Sequence, residues 1–271
     1  DGTHGLVFTP ANWNTAQTVA VAAVDDTLVE DTSHTSLIVQ AVASSDPIYA
    51  VINPADVNVT IAENDTRSIV FDGTSGGVAE TAGTHSIVAR LELQANGAAG
   101  GTLAGAISAD VSLTPVSAEA GDLTLTTTSI GFAAGSANGA TTPVGLTVTN
   151  DRILEGNETA SLSLALSTPP GTVGGPYTLT IADDETGTIG FVAATSNAPE
   201  GSTPHSVNAL LTISGSGSGP LETEGAVSAS LTDVPGSAAT PADYTRTTTA
   251  VNFAAGSASV SVSPAHSPSA R

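Results

Sequence analysis

The chain has 271 residues, with 5 Lys+Arg against 26 Asp+Glu and a formal net charge of -21, which excludes nucleic acid and anionic membrane surfaces as partners because both need basic patches. It has no Cys, so disulfides, thiol catalysis and Cys-type zinc sites are excluded, and no run reads as a signal peptide or a membrane-inserting helix. It also has no Met, and aromatics are only 3 %; we therefore expect a processed product or a piece of a longer protein, with thin cores of Val, Ile, Leu and Ala.

Taken in chain order, residues 1–66 open on Phe8 and Trp13, and Trp13 is expected to anchor a core or an inter-sheet contact. An acidic corner follows at 24–30, carrying Asp25, Asp26 and Glu30. A strand-like run then ends in a second acidic cluster at 60–65, whose last member is Asp65. Clustered carboxylates repel one another, and a hard cation with several oxygen ligands relieves that repulsion.

Residues 67–186 carry the clearest alternation of apolar and polar positions, at Leu123 and Leu125, at Leu146 and Val148, and at Leu162, Leu164 and Leu166. Period two means one face buried and one solvated, which predicts antiparallel strands of a sandwich and almost no helix. Asn96-Gly97 and the Pro/Gly clusters near 170 and 175 mark turns. An acidic corner recurs here at 149–155 with Asn150, Asp151 and Glu155, 125 residues after the first, and Glu158 follows it. The terminal cluster recurs at 180–185 with Asp183, Asp184 and Glu185, 120 residues after its first copy.

Residues 187–271 repeat the opening of the middle segment. Residues 188–191 echo 68–71, Glu200 echoes Glu80, His205-Ser206 echoes His85-Ser86, and 243–258 echoes 122–137. Val260 and Val262 continue the alternation, and a Pro/Ser-rich tail from 263 to 271, expected to be mobile, stands where a third acidic corner is due. A period near 120 residues is one whole domain and not a solenoid repeat. We therefore read 67–186 as a complete module, 1–66 as the later part of one and 187–271 as the earlier part of another.

These motifs together resemble the Calx-beta family of Ig-like calcium-binding modules. The resemblance rests on Asp243-Tyr244, on Phe132 and Phe253 each followed three residues later by Gly, on the corner from Asn150 to Glu158, and on Ile181 before Asp183, Asp184 and Glu185. It implies a calcium site at one pole of each sandwich. In the middle module the implied ligands are Glu80, Asp122, Asn150, Asp151, Glu155, Glu158, Asp183, Asp184 and Glu185; in the first they are Asp25, Asp26, Glu30 and Asp65. Two departures stand out. Asn150 occupies the place of an Asp, which removes a charge and is expected to weaken the site, and Leu123 replaces a Tyr. Arg152 offers a competing counter-ion beside the corner.

Asp, Asn and Gly are also ordinary turn formers, so each corner taken alone is more often a turn than a ligand set. His85 and His205 are expected at exposed strand positions. Glu155 and Glu158 could imitate the paired carboxylates of a glycosidase, but they sit at a domain end and not in an aromatic cleft, and no nucleophile elbow occurs. The expectation is a non-enzymatic, secreted or cell-surface segment of tandem β-sandwiches, with Ca2+ at the module ends and neighbouring modules or copies of itself as partners. Two alternatives stand beside it: a glycan- or protein-binding accessory region of a secreted enzyme, and a head-to-tail filament subunit.

Overall fold

The computed structural model describes residues 5–30, 33–168, 170–200, 205–234, 236–238, 243–259, 261–262 and 265–267. The alternation at Val260 and Val262 and the Pro/Ser tail fall wholly or partly outside them. The regular secondary structure of the described residues is nearly all strand, with one four-residue helix, Pro47–Ala50, and a 3-10 turn, Glu80–Ala82. Among them no helix is long and apolar enough to cross a membrane.

The middle segment is a two-sheet sandwich. One sheet orders Leu123–Leu125, Thr141–Val148, Thr84–Ala95, Thr66–Phe71 and Thr172–Val173; the other orders Ser129–Phe132, Ile107–Pro115, Glu158–Leu166, Tyr177–Ala182 and Ser75–Ala79. The longest strand, Thr84–Ala95, shows how the sequence dictates this: Ile87, Ala89, Leu91, Leu93 and Ala95 are buried while alternate residues face out. Such strands pack because each has one apolar face to remove from water. The core is Val, Ile, Leu and Ala as expected, with Ile69, Leu91, Ala109, Val144, Ala160, Leu162 and Leu179 at 0 % exposure. Its aromatics are Phe71, Phe132 and Tyr177, of which Phe71 and Tyr177 form a tilted pair with ring centroids 5.7 Å apart. Asn96 and Gly97, with φ of 52° and 73°, make the tight turn that returns the chain from Thr84–Ala95 to Ala98–Ala99.

The described residues of the flanking segments form smaller sheets. The first contributes the antiparallel pair Ser33–Ile38 and Val57–Ala62. The third contributes Thr186–Phe191 on Ala209–Ser214 and Val227–Ser230 on Ala250–Phe253, closing on a small core of Ala209, Leu211, Ile213, Val251 and Phe253. Large apolar groups of these segments face water. Phe191 is 56 % exposed where its counterpart Phe71 is 5 % exposed. Trp13 is 70 % exposed, which corrects the expectation of a buried anchor: the described part of the first segment has no second sheet for it to pack against.

One feature joins the segments. Leu28–Val29, inside the first acidic corner, pairs in parallel with Thr102–Leu103 of the middle segment. Ile153–Leu154, inside the second corner, pairs in the same way with Glu222–Thr223 of the third. Each corner therefore lends a short strand to the next segment.

Candidate metal centre

Four loops meet at one pole of the middle sandwich, and strand ends position them. Ser75–Ala79 delivers Glu80, the turn before Leu123–Leu125 delivers Asp122, the corner between Thr141–Val148 and Glu158–Leu166 delivers Asn150 to Glu158, and the end of Tyr177–Ala182 delivers Asp183 to Glu185. Local hydrogen bonds set the corner. The Asp151 carboxylate accepts from the Ile153 N–H at 2.8 Å, a turn closed by its own side chain, and the Asp151 N–H donates to Glu80 at 2.8 Å. The Asp183 carboxylate organises the rest, accepting from the N–H groups of Gly156 at 2.7 Å, Glu155 at 3.2 Å and Glu185 at 2.8 Å.

Two groups of carboxylates converge there. Glu80, Asp184 and Glu185 each bring an oxygen within 4.8 Å of the others, as do Asp122, Glu155 and Glu158. Glu80, Glu158 and Glu185 are 5 %, 7 % and 6 % exposed. Buried acids usually have hydrogen-bond partners, yet both Glu185 carboxylate oxygens, Asp184 Oδ1 and Asn150 Oδ1 are buried with none.

The proton affinities record the crowding. Burial, then Glu158, Asp122, Asp151 and Glu224, push Glu155 up to about 8. Burial, then the contact with Asp122, pushes Glu158 up to about 7. Burial, Asp183, Asp184 and Glu80 push Glu185 up to about 8, and burial raises Glu80. Burial alone would raise Asp183 as well, but its backbone donors outweigh that and lower it. Arg90 pairs on the sheet surface with Glu92 at 2.7 Å, and Arg246 pairs with Asp233 at 3.1 Å in the third segment.

The first corner is arranged differently. Asp26 accepts from the Leu28 N–H at 2.8 Å, Asp25 accepts from Asn64 Nδ2 at 3.2 Å, Asp65 accepts from the Asn96 N–H at 3.0 Å, and Glu30 lies 3.3 Å from His34. Each acid has its own partner, and no group of three converges among the described residues of this segment.

Sequence reasoning missed two contributors. Glu63 takes the part of Asp183 in the first corner, accepting from the N–H groups of Glu30, Asn64 and Asp65. The run 214–219, alternating Ser and Gly, has the composition of a linker but packs on the acidic pole. Ser216 donates to Asp184 at 2.7 Å and accepts from Asn150 Nδ2 at 3.2 Å. This run lies 120 residues after 94–99, where the Asn96 backbone N–H donates to Asp65. His85 and His205, expected on the surface, are half-buried, and His205 Nε2 is enclosed.

A family model described as Calx-beta domain matches residues 2–65, 63–185 and 182–263. Among curated proteins none matches the chain. Among solved structures, the apo-form Calx CBD1 domain aligns at 17 % identity and a TM-score of 0.36, over 44 % of this chain and 98 % of that one. CBD12 from CALX1.2 aligns at 14 % and 0.37, over 74 % and 76 %. A putative carbohydrate binding protein from Bacteroides ovatus aligns at 8 % and 0.32, over 54 % and 47 %. These structural likenesses are loose, and assignment rests on the family model.

Proposed function

Because the chain belongs to the Calx-beta domain family, we propose that it is a structural segment of a secreted or cell-surface protein in which calcium stiffens the module ends. The middle module binds the ion through Glu80, Asp184 and Glu185 in one pocket and Asp122, Glu155 and Glu158 in the other, with Asn150, Asp151 and Asp183 holding the loops that form them. The observation that carries this reading is the Glu185 carboxylate, buried with neither oxygen hydrogen-bonded. A hard cation takes six to eight oxygen ligands and would satisfy it. Extracellular modules of this chemistry bind calcium with Kd on the order of 10⁻⁴–10⁻³ M, which suits a resident ion and not a cytosolic signal. The chain has no catalytic role in this reading.

Calcium specific to the native state raises its melting temperature by mass action. A calcium titration should therefore raise the melting temperature, and Asp183→Ala with Asp184→Ala should remove the rise. An unchanged curve at several millimolar calcium would return the pole to an ordinary set of turns.

A second reading is supported by the exposed Phe8, Trp13 and Tyr49, at 57 %, 70 % and 57 %: recognition of a glycan or protein by the first segment. Binding on a glycan array that disappears with Trp13→Ala would favour it over the purely structural role.

A further inference from the structure

We propose that the cation site of the middle module is completed across the junction by the third segment, with Ser216 closing one carboxylate pocket and Glu224 serving as an added ligand at the other. The proposal rests on the calcium reading and names a part of the site that lies in the next module.

Three contacts place the third segment on the pole. The Ser218 N–H donates to the Asn150 carbonyl at 3.2 Å, the Glu222 N–H to Arg152 at 3.2 Å and the Glu224 N–H to Leu154 at 3.2 Å. The last, with Leu154 paired to Thr223, puts the Glu224 backbone beside the residue that precedes Glu155. The other pocket is sealed from the same side. Gly215 packs so closely on the Glu185 carboxylate, and Gly217 on the Asp151 carbonyl, that a Cβ at either position would overlap them. Gly217 also holds a left-handed φ of 117°, which other residues adopt only with strain. The partnerless, 6 %-exposed Glu185 thus lies between its own module and the glycine-serine loop of the next, and the Ser216 hydroxyl reaches Asp184 in the same pocket. The alternation of Gly and Ser at 214–219 follows from this: small residues let backbone approach the acids, and a hydroxyl oxygen is a hard donor of the kind calcium takes. At the other junction the position of Glu224 is Ala104, so the added acid is particular to this one.

Isothermal titration of the 271-residue chain with calcium chloride tests the proposal. Glu224→Gln keeps the shape and removes one ligand charge, and should weaken calcium binding about tenfold, since affinity follows ligand charge. Gly217→Val should lift the loop from Asp151 and weaken it further, with far-ultraviolet circular dichroism reporting that the sheets persist. Ser216→Ala, which leaves the backbone undisturbed, should weaken binding a few-fold and stands in if the Gly217 variant misfolds. Glu92→Gln, on the sheet surface, controls for net charge and should bind as wild type. Wild-type affinity in Glu224→Gln and Ser216→Ala overturns the shared site while leaving the calcium reading intact. A wild-type chain that binds no calcium at several millimolar overturns both.

Discussion

At the first junction Val29 enters the middle module's core at 1 % exposure, beside Leu103 at 1 %, and the acids around it are satisfied one by one. At the second junction its counterpart Leu154 is only half-buried against the third segment's core, and the surrounding carboxylates are crowded, buried and in part without partners. The backbone scheme is the same in both: a two-residue parallel pairing flanked by N–H donors from the acceptor loop. What differs is the agent that holds it. Apolar burial holds the first joint whatever the solution contains, whereas the second is built of charges whose mutual repulsion depends on protons and cations. Tandem modules with near-identical joints can therefore respond unequally to the same ion.

The largest effect should come from attacking the apolar joint. Val29→Asp puts an unpaired charge into the middle core and should cost about 3–5 kcal/mol, while Leu154→Asp, at a half-buried site, should cost about 1–2 kcal/mol. Thermal unfolding of the full chain in chelator reads both. Equal losses would mean that the first joint does not depend on Val29 and would break the comparison.

Next come the organising acids. In chelator, Asp183→Ala strands three backbone donors at a largely buried pole and should cost about 2–3 kcal/mol. Glu63→Ala releases the same number at the more open first corner, where water can replace the carboxylate, and should cost about 1 kcal/mol. Chelator keeps the loss of hydrogen bonds separate from any loss of metal.

The two joints should also separate by pH. Glu80, Glu155, Glu158 and Glu185 are raised above the ordinary carboxylate value, so the folded pole holds protons that the unfolded chain has released. Stability from these groups is fully present below about pH 4.5 and is lost as pH rises to about 8. In chelator, amide exchange at 180–185 should therefore quicken across that window, and calcium, which replaces the protons, should protect these amides more as pH rises. A flat profile without metal would show that the pole is not crowded as described.

Much of this was legible in residue order. The alternation that buries Leu91, Leu93, Leu146, Leu162 and Leu164 is a pattern of strands, and the recurrence near 120 residues marks the tandem modules. The acids of the middle pole were legible because three acidic elements recur together. The joints were not. A two-residue strand such as Leu28–Val29 has no period to detect, and its partner lies more than seventy residues away. The Gly/Ser run reads as a spacer because composition alone does not reveal that a buried carboxylate lies beneath it. Trp13 misled for the opposite reason: an aromatic is a good core residue only where a second sheet exists to cover it.

The smallest expected effect sharpens the comparison most. Ala104→Glu gives the first junction the acid that the second has at Glu224. Ala104 is exposed and holds Val29 only through its backbone N–H, at 2.9 Å, so the substitution should change stability by no more than about 0.5 kcal/mol. It should also leave calcium binding at that junction unchanged. One added carboxylate cannot create a site where Asp25, Asp26, Glu30 and Asp65 are held apart by separate partners. Nuclear magnetic resonance shifts of the 24–30 and 60–65 amides during a calcium titration decide it. Shifts that appear only in the variant would mean that the first corner was one ligand short of a site, and the difference between the joints would then reduce to a single residue.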